Sequence, residues 1–362
     1  MTSILLGSIP ARARIAIFRA LQLGDMLCVM PAIKAIRRVL PQAEITLIGL
    51  PSAQTLATRY ADLVDVFMPF PGHPAFPEQA PQLDALPGFY AAARARAFDL
   101  ALQLHGSGNI ANGIVRQLHA KRWAGFVPTG ARTWPGRRMT WPDSLPEPLR
   151  YLALVQEMGA PASDSALFFP LSNADEEEAD RLCSAHDIQP ENTIFLHPGA
   201  RLRSRRWSVA RFQTVGRVLS ERGWRLAITG SVEEREITAT LLNGLSPDTV
   251  DLTGRTSLGG LAALIARARL LICNDTGISH IAAAVRTPSV VVASGSDPQR
   301  WAPLDRKLHD VCFHPIACRP CAYEDCPIGH PCALGVAPDE VLLKAYRKLQ
   351  LRYEPKRLGA LA

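Results

Sequence analysis

Short apolar runs alternate with stretches of helical periodicity along the whole 362-residue chain. Ile15-Ala16-Ile17-Phe18 reads as a buried strand, followed by a loop from Arg19 to Asp25. From Met26 to about Leu40 the apolar positions Leu27, Met30, Ile33, Ile36 and Leu40 share one face of a helix. Pro41 stops that helix, and Glu44 to Gly49 reads as the next strand. The same reading predicts strands over 64–67, 98–104, 122–126, 193–197, 225–229, 250–252, 270–274 and 288–293. Helices are expected from about 110, over 149–158, 174–186, 208–222 and 258–267, and directly after Asp275-Thr276-Gly277. Prolines mark 69–88 as a loop, 127–148 is rich in proline and glycine, and 159–172 reads as a linker. Strands alternating with helices predict an α/β protein with parallel sheets, arranged in two halves.

Ligands of such sheets bind beyond the C-terminal ends of the strands, and the polar residues gather there. The tightest strand-to-helix connection is Cys273-Asn274-Asp275-Thr276-Gly277-Ile278-Ser279-His280. A helix start of this kind aims free N–H groups at an anion, and Gly277 lets the backbone approach a ligand. Asp275 is open to two roles, acceptor from a sugar diol and helix cap. Asp25 is likewise either a site carboxylate or an N-cap. Gln103, His105 and Ser107 follow the strand at 98–104 and either line a polar acceptor pocket or finish a loop. The glycines Gly106, Gly108 and Gly113 lack dinucleotide-fingerprint spacing, which argues against NAD. Arg201, Arg203, Arg205 and Arg206 form a basic loop ahead of Trp207, and Ser231, Glu233 and Glu234 follow the strand at 225–229.

Composition narrows the partners. Forty Lys and Arg against 33 Asp and Glu give +7, and much of the excess is arginine, which suits bidentate phosphate contacts. Nucleotides, phosphorylated sugars, nucleic acid and a membrane surface all remain compatible. Hydrophobic residues are 48% of the chain, enough for a sizeable core. No apolar run approaches the ~18 residues of a membrane span. The opening MTSILLGSIPARAR has its charges behind its apolar patch, the reverse of a secretory signal. A soluble, cytoplasmic protein is expected.

HPGARLRSRRW (197–207), ITGSVEE (228–234), LTGRTSLGGLAALIARA (252–268) and NDTGISHIAAA (274–284) occur in this order, after Leu23-Gly24-Asp25 and QLHGSGN (103–109). Together these segments resemble glycosyltransferase family 9, the ADP-heptose:lipopolysaccharide heptosyltransferase family. The resemblance implies a GT-B architecture of two Rossmann-like domains facing across a cleft. Its expected divisions are an acceptor domain over 1–165, a nucleotide-sugar domain over 166–337, and a C-terminal helix over 338–362 returning to the first domain. It also implies inverting transfer of heptose from ADP-heptose to a lipopolysaccharide core or related surface-glycan acceptor, with Asp25 as base. The residue before Trp207 that contacts the diphosphate is Arg205, with Arg206 as neighbour; family members often carry Lys there. Asp275, Thr276 and Gly277 hold the nucleotide sugar, and Glu233 or Glu234 the ribose, with Ser231 beside them. His280, one turn into its helix, either approaches the diphosphate or packs.

The chemistry can be argued from the residues themselves. Arg205 and the helix amides at Thr276 and Gly277 can stabilise a departing diphosphate, while Asp25 accepts the acceptor hydroxyl's proton. The chain contains no Asp-x-Asp, so the acidic metal site of many other glycosyltransferases is not expected, and no cofactor is needed for catalysis. Cys312, Cys318, Cys321, Cys326 and Cys332 cluster in one segment and form a candidate structural metal site, with reduced thiols in a compact loop as the alternative. The expected partners are a nucleotide-sugar donor and a lipid-linked or glycan acceptor, with no nucleic acid and with peripheral contact at the cytoplasmic face of the inner membrane open. Two further readings stand beside this one: transfer from another nucleotide sugar, and a non-catalytic protein binding an anion or nucleic acid. The last needs a long basic stripe, whereas the arginines here are confined to one loop.

Overall fold

The computed structural model describes residues 5–131, 136–161 and 163–350. The chain forms two compact units, 1–170 and 171–362, so the boundary falls a few residues beyond the expected 165/166. The first unit runs β1 (Arg14–Phe18), α1 (Leu23–Val39), β2 (Glu44–Gly49), α2 (Gln54–Arg59), β3 (Val66–Pro69), α3 (Leu86–Ala95), β4 (Leu100–Gln103), α4 (Ala111–Arg116), β5 (Arg122–Val127), β6 (Arg137–Thr140) and α5 (Glu147–Glu157). The second runs α6 (Asn173–His186), β7 (Thr193–His197), α7 (Val209–Glu221), β8 (Arg225–Ile228), α8 (Arg235–Leu242), β9 (Val250–Asp251), α9 (Leu258–Arg267), β10 (Leu270–Asn274), α10 (Gly277–Ala284), β11 (Ser289–Val292), α11 (Pro298–Trp301), β12 (His309–Cys312), α12 (Pro331–Leu334) and α13 (Pro338–Leu349).

Each unit is a six-stranded parallel sheet, ordered β3-β2-β1-β4-β5-β6 in the first and β12-β11-β10-β7-β8-β9 in the second. Read from its own first strand, each has the doubly wound order 3-2-1-4-5-6, the Rossmann arrangement. Ile15 to Phe18 and Leu270 to Cys273 are fully buried on both faces of their sheets. That is why both segments read as unbroken apolar runs and not as alternating strands. The helix α6 starts on a reciprocal cap, in which Ser172 accepts from the Asp175 amide while the Asp175 carboxylate accepts from the Ser172 amide.

The sheet order sets where a ligand can sit. The connections leave β1 and β4 in opposite directions, so the loops after these neighbouring strands open a crevice that no crossover covers. The same holds for β7 and β10. Pairing in register keeps each pair of strand ends level, with Phe18 opposite Gln103 and His197 opposite Cys273.

Within the Pro- and Gly-rich segment 127–148, Arg137–Thr140 adds an edge strand that the sequence reading did not predict; its short, charged sequence carries little apolar signal. One expectation needs correction. The C-terminal helix was expected to return to the first domain. Over Pro338–Leu349 it packs on the second sheet instead, because Val341, Leu342, Ala345, Tyr346 and Leu349 form a stripe that completes that unit's core beside Trp207 and Phe212. Residues 351–362 of that expectation lie outside the described residues. Among the described residues no helix is long and apolar enough to cross a membrane.

Replacing Leu342 with Ala is therefore expected to destabilise the second unit by about 2–5 kcal/mol, read from urea unfolding followed by tryptophan fluorescence. A change below about 1 kcal/mol would contradict this packing.

Candidate functional site

The second unit builds its site at the β7/β10 crevice. The Asn274 side chain, at the end of β10, accepts the Trp207 amide at 2.9 Å and donates to the Pro198 carbonyl at 2.7 Å. It thus ties both ends of the arginine loop to the sheet. Trp207 is buried, and its indole N–H donates to the Val336 carbonyl at 3.1 Å. Between these anchors Arg206 braces the loop through Nε to the Ala200 carbonyl at 2.8 Å. Arg205 is placed differently. Its Nη2 donates to the Cys321 carbonyl, while its buried Nε has no partner in the protein. Burial lowers the pKa of Arg205 and the Asp275 carboxylate opposes that shift, so the guanidinium stays charged beside an acid.

Asp275 does not cap the helix that follows it. The N-cap of α10 is Thr276, and no side chain caps that helix. Thr276 Oγ1 is itself buried without a partner in the protein, as are Ser294 Oγ and Ser296 Oγ in the turn after the neighbouring β11. An unmet buried hydroxyl costs about 1–3 kcal/mol. Several of them beside a charged guanidinium and an uncapped helix start suit a polar, anionic ligand. His280 is buried in α10, its ring 6.1 Å from that of Trp301.

The strand-end loop after β8 is ordered by Ser231 and Glu234, which form a reciprocal cap: the Ser231 amide donates to Glu234 Oε2 at 2.8 Å. The Glu234 carboxylate also lies against Gly199, where any Cβ would collide with it, and 3.9 Å from His197 Nε2. Glu233 is exposed and its carboxyl sits below the usual range because Ser231 hydrogen-bonds it. Of the two acids, Glu234 is the one held at the strand ends. His197 is mostly buried, which lowers its pKa against the pull of Glu234, and its Nδ1 meets Thr229 Oγ1 at 3.0 Å.

In the first unit Asp25 lies in the first turn of α1, whose N-cap is Gln22. Its side chain is partly exposed, and Oδ1 is 3.7 Å from the Arg19 guanidinium. On the neighbouring loop, His105 Nδ1 accepts the Ala20 amide at 3.3 Å, and its ring stacks on Phe76 at 4.2 Å. Burial, helped by the Arg19 charge, depresses the His105 pKa to about 3. The imidazole is therefore neutral, with its proton on Nε2. Asp25 and His105 flank the β1/β4 crevice, the first unit's counterpart of the β7/β10 site. Ser107 is half-buried in the same turn. Gln103 is a correction: its amide is fully buried, donating to the His105 carbonyl at 2.5 Å and accepting the Phe126 amide at 3.1 Å. It shapes the loop and has no face for a ligand. Gly108 shares that task, with φ +85° and no room for a Cβ under the Phe126 carbonyl.

The cysteine-rich segment straps the arginine loop. Ser204 donates from N to the Glu324 carbonyl at 2.9 Å and from Oγ to the Tyr323 carbonyl. His330 Nε2 reaches the Ser204 carbonyl at 2.8 Å, and the Cys321 amide donates to the Gly295 carbonyl at 2.9 Å. The cysteines are free thiols; Cys318 is exposed, whereas Cys312 is buried in the core at the end of β12, its pKa pushed up to about 12 by burial. Among the described residues no group of three or more His, Cys, Asp or Glu side chains is placed to hold a metal. Main-chain and side-chain hydrogen bonds order the segment against the arginine loop.

Sequence reasoning missed Ser294 and Ser296, and also Arg19, Glu147 and Tyr151. A lone arginine after an apolar strand is the only trace the last three leave. A cavity of about 340 Å³ lined by Asp187, Trp224, Arg225 and Asp248 lies at the opposite, N-terminal end of β8 and shares no residue with these loops.

Comparison with known proteins agrees with this layout. The profile of glycosyltransferase family 9 (heptosyltransferase) matches residues 89–331, two thirds of the chain. Lipopolysaccharide heptosyltransferase 2 of Salmonella typhimurium is 27% identical over 172 residues, 45% of this chain and 49% of that protein. The chain thus spans about half the length of the curated relatives first matched. The family 9 glycosyltransferase of Veillonella parvula superposes with a TM-score of 0.78 at 18% identity, covering 94% of this chain and 98% of that one. Escherichia coli ADP-heptose lipopolysaccharide heptosyltransferase II gives 0.67 at 20% identity, covering 93% and 99%. The likeness to these structures supports the two-domain GT-B fold, and the profile match, which takes in the arginine loop and the Asp275-Thr276-Gly277 turn, shows that the chain belongs to glycosyltransferase family 9.

Proposed function

We propose that this chain is an inverting glycosyltransferase that moves heptose from ADP-heptose to a lipopolysaccharide core or related surface-glycan acceptor. The observation that carries the reading is the second unit's crevice. An uncapped helix start, the charged Arg205 and the Asp275 carboxylate meet there at the end of β10. The diphosphate of the donor lies against Arg205 and the first amides of α10, which take up the negative charge as the glycosidic bond breaks. Asp275 and Glu234 accept hydrogen bonds from donor hydroxyls. Asp25 removes the proton of the acceptor hydroxyl as that oxygen attacks the anomeric carbon from the face opposite the leaving ADP. Configuration at that carbon inverts. His105, neutral and carrying its proton on Nε2, offers a donor to the acceptor beside Ser107.

No step is routed through a metal, because the arginine and the amides supply the charge stabilisation. Family membership and the curated relative's name favour heptose and a lipopolysaccharide acceptor, and the name of the Escherichia coli structure favours ADP as the carrier. With a lipid-linked acceptor, the enzyme works from the cytoplasmic face of the inner membrane.

Thermal-shift screening against ADP, UDP, GDP, their sugars, and single- and double-stranded oligonucleotides tests the reading. Stabilisation by ADP and ADP-heptose is expected; a response to another sugar nucleotide alone points to a different donor, and a response only to nucleic acid overturns the assignment. Arg205→Ala should weaken ADP binding about 10- to 100-fold by titration calorimetry, the worth of one charge-assisted contact. Asp25→Asn should keep ADP affinity and lower kcat by about 10²–10⁴-fold. Near-normal turnover in that variant removes Asp25 as the base. The depressed His105 pKa predicts acid sensitivity. Stability tied to the neutral ring is complete above the unfolded value of about 6.5 and falls as pH drops toward about 3, by roughly 2 kcal/mol at pH 5. Urea midpoints at pH 7 and pH 5 should differ less in His105→Gln than in the parent.

A further inference from the structure

The first unit holds a buried charge cluster that the reaction scheme above does not use. Arg19 follows β1 directly and is completely buried. Its Nε donates to the Asp25 carbonyl at 2.8 Å, and its Nη2 lies 3.7 Å from the Asp25 carboxylate, so one guanidinium grips both the main chain and the side chain of that residue. Nη1 donates to the Leu104 carbonyl at 2.5 Å, the residue before His105. The fork thus joins the loop carrying Asp25 to the loop carrying His105 at the β1/β4 crevice.

Behind the arginine stands α5. Nη1 meets Tyr151 Oη at 2.6 Å, Nη2 meets Glu147 Oε1 at 3.3 Å, and the guanidinium stacks on the Tyr151 ring at 4.4 Å. Tyr151 Oη in turn donates to the buried Glu147 carboxylate, whose other oxygen is 3.8 Å from Arg150. Burial alone works against the Arg19 charge. Tyr151, Glu147 and Asp25 outweigh it and hold the guanidinium more firmly protonated than usual. A cation is buried this deeply only when acids and carbonyls surround it. A Lys here supplies the charge but not the planar fork that reaches four partners at once. A packing role asks for none of this, since an apolar residue of similar volume fills such a space without a charge to compensate.

We infer that Arg19, backed by Glu147 and Tyr151, is a positioning residue that fixes the Asp25 carboxylate in its reactive orientation and holds the acceptor loop level with it. This rests on the reading of Asp25 as the base. Arg19 touches no substrate; it acts through Asp25.

The test is a set of double-mutant cycles with ADP-heptose and heptose-deficient lipopolysaccharide as substrates. Arg19→Lys, Glu147→Gln and Tyr151→Phe are each made alone and in the Asp25→Asn background. Folding is checked by circular dichroism, and Tyr151→Phe, which removes a single oxygen, remains informative where a charge change unfolds the chain. Each single variant is expected to lower kcat about 10- to 100-fold, with the KM for donor within about two-fold of the parent. In the Asp25→Asn background the same changes should alter residual turnover by less than about two-fold, because the group they position is gone. Equal losses in both backgrounds mean a purely structural role and overturn the inference. So do folded single variants with parental kcat while Asp25→Asn is impaired. If Asp25→Asn itself turns over normally, the base assignment fails instead, and with it the premise of the cycle.

Discussion

The parallel sheet with the order 3-2-1-4-5-6 is the constraint on which everything else depends. Because the chain turns in opposite directions from β1 and β4, and again from β7 and β10, two loops in each unit stand side by side with their strand ends in register. Every residue argued here to meet a ligand lies on or beside one of these loops. Between their first and last residues the central strands β1, β4, β7 and β10 carry only apolar side chains. Chemistry is thereby pushed to the ends, where main-chain carbonyls and amides need partners of their own.

That need explains why so much of each site is scaffold. Asn274 closes the arginine loop, Gln103 closes the His105 turn, and Arg19 closes the Asp25 turn, each by bonding main-chain atoms of its own turn or of the element beside it. These are buried polar residues at the ends of apolar strands; main-chain groups that no strand ladder could satisfy meet their donors and acceptors, joined at Arg19 by the Tyr151 and Glu147 side chains. The second unit keeps polar atoms that its scaffold does not use: Arg205 Nε, the Thr276 hydroxyl and the uncapped start of α10.

This division also accounts for what could be read from the sequence. Strand ends are legible because an apolar run stops at Asp, His or Gly, and the ordered motifs from Leu23-Gly24-Asp25 to Asn274-Asp275-Thr276 carry the family. Gln103 and Asn274 look alike in sequence, each a polar residue closing a strand; only the hydrogen bonds reveal both as scaffold. The edge strand β6 was illegible because an edge on the solvent side needs no apolar residues. The docking of α13 was misjudged because an amphipathic stripe specifies that a helix is buried, not which sheet buries it. Glu147 and Tyr151 could not be found, since they lie more than a hundred residues from Arg19 and meet it only through the fold.

Arg205 and Arg19 show how far surroundings set the role of one side chain. Both lie on the connection that leaves the first strand of their unit, and each is drawn toward an aspartate, Arg19 to Asp25 of its own connection and Arg205 to Asp275 after β10. Burial lowers the pKa of Arg205 and leaves Nε without a partner; Arg19 is wrapped by acids and carbonyls until its charge is held more firmly than in water. The same side chain in the same topological place thus takes opposite roles. An incompletely satisfied guanidinium retains the capacity to bind an arriving anion, whereas a fully satisfied one can only hold what already surrounds it. Saturation of the hydrogen-bonding capacity, more than residue type or position, separates the binding arginine from the positioning one.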